Sequence, residues 1–108
     1  MIAVVPVAAD GDVSGGWGRA PRVAVATVQD GRVVGWQEHD VRWDLAHDEG
    51  SEGAHHARVA RFLREHAVDV VVTGHLGAGM QRMLGTLGIR VVRDARGNAR
   101  EAVLAAAG

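Results

Sequence analysis

The sequence contains no cysteine and no lysine, and each absence excludes a class of chemistry. Without cysteine there are no disulfides, thiolate nucleophiles, cysteine zinc sites or ordinary thiolate-ligated iron–sulfur clusters. Because all 12 basic residues are arginines, Schiff-base and P-loop lysine chemistry is excluded as well. The six histidines therefore remain as the main reactive or metal-binding side chains.

Long apolar runs and an excess of charge of one sign are also missing. No stretch approaches the roughly 20 apolar residues of a membrane span, and the apolar start, Met1 to Ala9, lacks the basic region of a signal peptide. We therefore expect a cytoplasmic protein with no membrane partner. The formal net charge of −1 argues against nucleic-acid binding, which usually requires a basic face. The 108 residues, 47% of them hydrophobic, predict a single globular domain over 1–108.

The pattern of apolar residues predicts five strands and three helices. Ile2 to Ala8 is a continuous apolar run, typical of a strand covered on both faces. Two further strands flank Asp30-Gly31, a strong hairpin signal. The polar segment from Asp40 to Glu52 is typical of a mobile surface loop. The remaining predicted elements are, in order, a helix from about Ser51 to His66, a strand over 68–73, a helix ending at Gly88, a strand over 89–92 and a helix capped by Asn98.

The order of these elements predicts an α/β fold with a mixed five-stranded sheet. Residues 68–92 form a strand–helix–strand unit, which is expected to be parallel and right-handed. The apolar first strand would lie beside the fourth at the centre, giving the order 3-2-1-4-5 with helices on both faces. Ligands of such sheets bind beyond the carboxyl ends of the strands at the switch point, here between strands one and four. The loop over 10–18 and the turn over 74–79 should meet there.

The histidines provide the candidate metal site. His55 and His56 open the first long helix, and His75 follows the fourth strand. Imidazole is the commonest metal ligand, and the positive end of a helix disfavours a protonated ring, which suits His55 and His56 as neutral ligands. Both also precede apolar residues of the predicted core stripe. The alternative to metal binding, with equal weight, is that these two side chains only pack in the core. The second-choice ligands are Asp10, His39 and His47.

The turn from Thr73 to Met80, TGHLGAGM, is the candidate cofactor-binding segment. Its glycines would let backbone N–H groups at the helix start hold an anion; the alternative is that they only allow a tight turn. Arg82 stands where a dinucleotide motif would have its third glycine. Trp17, between glycines, is either a lid over the site or a plug at the core edge. The predicted cofactor-binding residues are Trp17, Gly74, Gly77 and Gly79.

No catalytic constellation is visible in the sequence. The fourth strand ends in Thr73-Gly74-His75 without a carboxylate, so the clustered acids of two-metal phosphoryl transfer are missing. Neither Ser14 nor Ser51 lies in a nucleophile elbow. We therefore expect a binding protein rather than an enzyme.

Three segments together carry a family resemblance: IAVVPVAADGDVS over 2–14, GWGRAPRVAVATV over 16–28 and VDVVVTGHLGAGMQRMLGTLGIRVV over 68–92. They resemble the dinitrogenase iron–molybdenum cofactor biosynthesis family, small proteins with a ribonuclease-H-like fold. The resemblance implies a non-catalytic carrier that binds a metal ion or an iron–molybdenum-type cluster. It also implies a partner protein that donates or accepts the cluster.

Two departures from the family pattern are visible. Gly16 stands where the family usually has a histidine before the aromatic residue, and Gly53-Ala54-His55-His56 replaces the usual small residues. The resemblance therefore implies a divergent member with a site built from His55, His56 and His75. The alternative is a small regulatory or interaction domain that binds an organic anion or a partner protein without metal. An exposed sheet edge would favour a homodimer.

Overall fold

The computed structural model describes residues 1–46 and 50–107, so the predicted ligand His47 lies outside the described residues. None of the described helices is long and apolar enough to cross a membrane. The elements are β1 (Ile2–Pro6), β2 (Val23–Gln29), β3 (Arg32–His39), α1 (Trp43–Ala46), α2 (Glu52–Glu65), β4 (Val70–Val72), α3 (Ala78–Thr86), β5 (Arg90–Val92) and α4 (Ala99–Ala107).

The five strands form one sheet of order β3-β2-β1-β4-β5, which confirms the predicted topology. β1 pairs antiparallel with β2 and parallel with β4, and β4 pairs parallel with β5. β1 is central because all of its residues are apolar, and four of its five are buried. The direction of pairing changes at β1, so the switch point lies between β1 and β4 as predicted.

The hairpin between β2 and β3 also forms as predicted. Asp30 and Gly31 both have positive φ, 53° and 74°. A two-residue turn with both central residues in that region matches the right-handed twist of the strands it joins. The pair therefore sets the register between β2 and β3.

The sheet separates two hydrophobic clusters. Because successive side chains of a strand point to opposite faces, Val4 packs with α2 and α3, whereas Val5 packs with α4. Leu63 of α2 and Leu84 of α3 lie in the first cluster, and Val103 of α4 lies in the second. The sheet is thus covered by helices on both faces.

Two of the helices, α2 and α4, begin with side-chain caps, and the one at Asn98 is predicted from the sequence. Ser51 Oγ accepts a hydrogen bond of 3.1 Å from the backbone N–H of Ala54 at the start of α2. Asn98 Oδ1 accepts one of 3.0 Å from the backbone N–H of Glu101 at the start of α4. Each cap satisfies one backbone donor that the first turn leaves without an intrahelical partner.

The segment after β3 departs from the mobile loop that its polar composition predicts. Residues 43–46 form the short helix α1, and Trp43 is buried against the ring of Trp17, with the centroids 5.0 Å apart. The segment is held in place by one buried tryptophan among polar residues. The prediction of a mobile loop rested on the average polarity of the segment, which does not reveal one large buried side chain.

Candidate functional site

Two loops meet at the carboxyl edge of the sheet, as predicted from the switch point. Gly16 pairs with His75 in an isolated parallel bridge, and the backbone N–H of Trp17 donates to the His75 carbonyl oxygen at 3.0 Å. A Cβ atom added to Gly74 would lie 3.0 Å from the Gly15 oxygen and 3.3 Å from the Ala95 oxygen. Position 74 is therefore occupied by glycine because backbone segments approach it closely.

A cavity of about 430 Å³ lies next to this junction, where the N-terminal ends of α2 and α3 face each other. We call it the helix-end pocket. The residues that line it are Gly18, Glu52, His55, His56, Gly77, Ala78, Gly79 and Met80.

The start of α3 contributes backbone donors to the helix-end pocket. Its N-cap residue, Gly77, provides no side-chain cap, and the first intrahelical bond runs from the Gln81 N–H to the Gly77 carbonyl oxygen at 3.0 Å. The N–H groups of residues 78–80 therefore precede the hydrogen-bonding ladder of the helix. Such N–H groups, together with the helix dipole, favour an anionic atom in front of the helix.

The start of α2 contributes an imidazole and a carboxylate. His56 Nε2 lies 3.7 Å from Glu52 Oε1, and the two residues are one helical turn apart. Gly79 of α3 leaves room for both, because an added Cβ would lie 3.3 Å from His56 Cε1 and 3.4 Å from Glu52 Oε1. The His56 side chain is 23% exposed and the Glu52 side chain 82% exposed, so solvent reaches the pair.

His55 is instead part of the core of the site. It is only 2% exposed, and its Nε2 lies 2.8 Å from the Gly18 carbonyl oxygen. Arg58 Nη1 lies 3.2 Å from His55 Nδ1 and 3.3 Å from the Ala46 carbonyl oxygen. An arginine can only donate, so Nδ1 accepts and Nε2–H donates to Gly18. Nε2 therefore connects α2 to the loop that contains Gly18, whereas Nδ1 bonds to Arg58 of the same helix, which in turn reaches the Ala46 carbonyl oxygen.

The charge in the helix-end pocket comes from the helix ends and from Glu52, since no arginine is among the described residues that line it. Arg22, which precedes β2, is paired with carboxylates outside the pocket. Its Nε donates to Asp40 Oδ1 at 2.9 Å, and its Nη1 lies 3.5 Å from Glu38. The hydrogen bond and the charge of Asp40, with a smaller contribution from Glu38, raise the pKa of Arg22 further.

The sequence matches the profile of the family described as dinitrogenase iron-molybdenum cofactor over residues 1–108. The chain belongs to the dinitrogenase iron-molybdenum cofactor family. The match covers the entire sequence, and it confirms the resemblance carried by the three segments. Membership in this family indicates a cofactor-related binding or carrier role.

Two solved structures are similar in fold. The protein PH0822 superposes with a TM-score of 0.75 at 21% identity, covering 98% of this chain and 88% of that one. The apo form of the orange protein (ORP) from Desulfovibrio gigas superposes with a TM-score of 0.74 at 25% identity, covering 94% of this chain and 82% of that one. No protein of curated function matches the sequence.

In this member of the iron-molybdenum cofactor family, the three predicted histidine ligands are not brought together. Within residues 1–46 and 50–107, no three His, Cys, Asp or Glu side chains are grouped so that they could hold one metal ion. His55 and His56 line the helix-end pocket, whereas His75 is exposed and is not among its lining residues. Adjacent helix residues point about 100° apart, which separates His55 from His56.

The second-choice ligands lie away from the helix-end pocket. Asp10 is exposed, and its Oδ1 accepts from the Asp12 N–H at 3.0 Å in a local turn. The ring of His39 packs against those of Phe62 and His66, with centroid distances of 5.4 and 4.8 Å. Neither lines the cavity.

Trp17 fills space at the edge of the core and does not form a lid over the site. It is fully buried, and its ring packs edge-on against that of Trp43. Its Nε1 is buried without a hydrogen-bond partner in the described part of the chain. Of the predicted cofactor-binding residues, Gly77 and Gly79 line the helix-end pocket. Gly74 instead lies at the loop junction.

Several lining residues were not singled out from the sequence. Gly18, Ala78 and Met80 lie in the two segments that were predicted to form the site, but nothing in the local pattern shows that these members of the segments line the pocket. Glu52 is different, because it lies four residues before His56 on a predicted helix. Residues at that spacing are neighbours on a helix surface, so this spacing was the signal that could have identified Glu52.

Proposed function

We propose that this protein is a non-catalytic carrier that binds a metal ion or an iron–molybdenum-type cluster as cargo in the helix-end pocket. One observation carries the proposal: two helix N-termini face one cavity, which contains the accessible imidazole of His56. Family membership supports a cofactor-related role. The existence of an apo form of the orange protein, a structural neighbour, agrees with a binding role.

The chemistry of the lining fits cargo with an exposed metal atom. In the absence of cysteine, the ligands available beside the thioether of Met80 are nitrogen and oxygen atoms, which suit first-row transition metals. The N–H groups at the start of α3 can donate to the anionic ligands that surround a metal. The Glu52 carboxylate would repel an anionic cluster unless it contacts the metal itself. A metal centre facing Glu52 and His56 resolves this conflict.

The proposal assigns different roles to the predicted residues. His56 would contact the metal, and Gly77 and Gly79 would contact the ligands of the metal through their backbone. His55 would act as a positioning residue, because its ring nitrogens are bonded to Gly18 and Arg58. Transfer of the cargo to or from a partner protein would take place at the open side of the pocket.

Metal content after anaerobic reconstitution tests this function. Untagged wild-type protein, purified without chelator, is incubated with the metals or with an iron–molybdenum cluster, desalted and analysed for elements. We expect a stoichiometric metal in the wild type and a loss of most of it in His56→Ala. His75→Ala removes an exposed imidazole outside the pocket and should load like the wild type. Failure of the wild type to retain any metal or cluster would refute the proposal.

The uncapped start of α3 favours a second candidate function, the binding of an organic anion without metal. Gly77 provides no side-chain acceptor to the N–H groups of the first turn, and a carboxylate or phosphate would satisfy these donors. In that case, a screen of organic anions by thermal shift should identify a ligand whose effect persists in His56→Ala and in the presence of chelator. Metal-dependent binding would favour the carrier function instead.

A further inference from the structure

We propose that Glu52 and His56 form a two-residue chelate for a first-row divalent metal centre, with His55 as a positioning residue that is not a ligand. The inference rests on the proposed carrier function and specifies its ligands and metal class. It starts from the pair of donor atoms on one face of α2, His56 Nε2 and Glu52 Oε1, which are 3.7 Å apart.

The separation of the two donor atoms is close to that of a chelate. Metal–nitrogen bonds to histidine and metal–oxygen bonds to glutamate are each about 2.1 Å, so a tetrahedral angle places the donors about 3.4 Å apart. The observed 3.7 Å exceeds this by a few tenths of an ångström. The Glu52 side chain is 82% exposed and can make this movement without disturbing the core.

The neighbouring elements keep this position open for a metal. Ser51 caps α2 immediately before Glu52 and holds the first turn in place. Gly79 of α3 lies against both side chains, and any larger residue there would come within 3.3 Å of the His56 ring. The cavity of about 430 Å³ extends from the pair toward the start of α3, so further ligands of the metal can be accommodated.

His55 is excluded from the chelate by its hydrogen bonds. Its Nε2 is committed to Gly18, and its Nδ1 accepts from Arg58. Ligation by His55 would require one of these bonds to break inside the core. Two protein ligands leave the other coordination positions of the metal to the remaining atoms of the cargo, so that a carrier can release it. A closed site with four protein ligands would retain the ion.

The nature of the two donors specifies the metal. One imidazole nitrogen and one carboxylate oxygen favour borderline divalent ions such as Fe²⁺, Co²⁺, Ni²⁺ and Zn²⁺. Affinity at such sites rises from Fe²⁺ through Co²⁺ and Ni²⁺ to Cu²⁺ and falls again at Zn²⁺. Soft ions that prefer thiolates have no sulfur ligand of that kind in this sequence. The cargo is therefore expected to present a borderline divalent metal atom to the helix-end pocket.

Titration with Co²⁺ alone, followed by visible absorption and by calorimetry, tests the chelate. We expect one Co²⁺ per wild-type chain, competed by Zn²⁺, and an affinity at least about tenfold lower in Glu52→Gln and in His56→Gln. His75→Ala and Glu65→Gln serve as controls that remove an exposed imidazole and an exposed carboxylate outside the pocket, and both should bind as the wild type does. His56→Gln keeps the side-chain size, and its unfolding midpoint verifies that it folds.

The glycine that adjoins the pair provides a variant that retains both ligands. Gly79→Ala crowds His56 and Glu52, and it should weaken Co²⁺ binding by less than His56→Gln does. Gly85→Ala in the same helix is the matched control, since an added Cβ there has no described atom within 4 Å. It should leave Co²⁺ binding unchanged.

The possible results separate this inference from the carrier function. Unchanged Co²⁺ binding in Glu52→Gln, or an equal loss in His75→Ala, would overturn the chelate. Absence of Co²⁺ binding in the wild type would also overturn it, but the carrier function would stand if the same protein still loaded a cluster on reconstitution. Loss of cluster loading in Glu52→Gln and His56→Gln, with the two controls unaffected, would support both.

Discussion

At the residue scale, the two adjacent histidines of α2 have different environments although they are chemically identical. His55 joins the buried face of the helix with Val59 and Leu63, and His56 faces the helix-end pocket. The division follows from helix geometry, since neighbouring side chains diverge by about 100°. His55 is therefore bonded within the core, whereas the His56 side chain is partly exposed at the pocket.

The role of His55 predicts a large effect on stability. His55→Ala removes both hydrogen bonds of a buried ring and leaves the Gly18 carbonyl and the Arg58 guanidinium without these partners. We expect the free energy of unfolding to fall by about 2 kcal/mol or more, measured by urea denaturation. His56→Ala, at a partly exposed position, should cost less than about 1 kcal/mol. Equal costs for the two variants would contradict this assignment.

The sequence could predict that these histidines lie at the start of a helix but not which one is buried. His55 precedes Val59 by four residues, and His56 precedes Leu63 by seven, so both spacings agree with the same apolar stripe. The difference depends on the Gly18 carbonyl oxygen, 37 residues away in the sequence, which tertiary packing brings to His55. Long-range contacts of this kind leave no periodic signal in the sequence.

At the element scale, α2 and α3 end in the same motif with different residues at its left-handed position. In α2, the N–H groups of Ala67 and Val68 donate to the carbonyl oxygens of Arg64 and Leu63. In α3, the N–H groups of Gly88 and Ile89 donate to the carbonyl oxygens of Gly85 and Leu84. Ala67 has a φ of 51° and Gly88 of 75°. Such Schellman ends favour glycine, because an L side chain is strained there.

This comparison predicts opposite effects of two substitutions. Ala67→Gly relieves the strain of α2 and should raise the free energy of unfolding by about 0.5–1 kcal/mol, since relief exceeds the added flexibility of the unfolded chain. Gly88→Ala should lower it by about 1 kcal/mol. Chemical denaturation of both variants beside the wild type gives the two values. A loss of stability in Ala67→Gly would show that the alanine side chain contributes packing that outweighs its strain.

The elements themselves were largely predictable from the sequence, with one instructive exception. Asp30-Gly31, Ser51, Asn98 and Gly88 each act locally, so the turn, the caps and the helix end are encoded by a few adjacent residues. The helix α1 is not encoded in this way. Its only large buried residue is Trp43, which is held by contact with Trp17 from a distant loop, and so the segment resembles a polar loop in the sequence.

At the scale of the whole molecule, the sheet order determines where the candidate site is found. β1 pairs with β2 on one side and with β4 on the other, so the loops that follow β1 and β4 meet at one edge. The apolar β1 and the strand–helix–strand unit made this order predictable. The composition of the helix-end pocket was less predictable, because its residues belong to the β1–β2 loop, α2, and the β4–α3 turn with the start of α3.

An amide NMR titration of the wild-type protein with Zn²⁺ shows directly whether a metal binds in the helix-end pocket. We expect shifts concentrated at Gly18, residues 51–56 and residues 77–80, which form the helix-end pocket, and their reversal by chelator. No response of these amides would contradict metal binding in the helix-end pocket. Shifts that cluster instead at another cavity, of about 210 Å³ and lined by residues that include Val7 and Arg42, would contradict it as well.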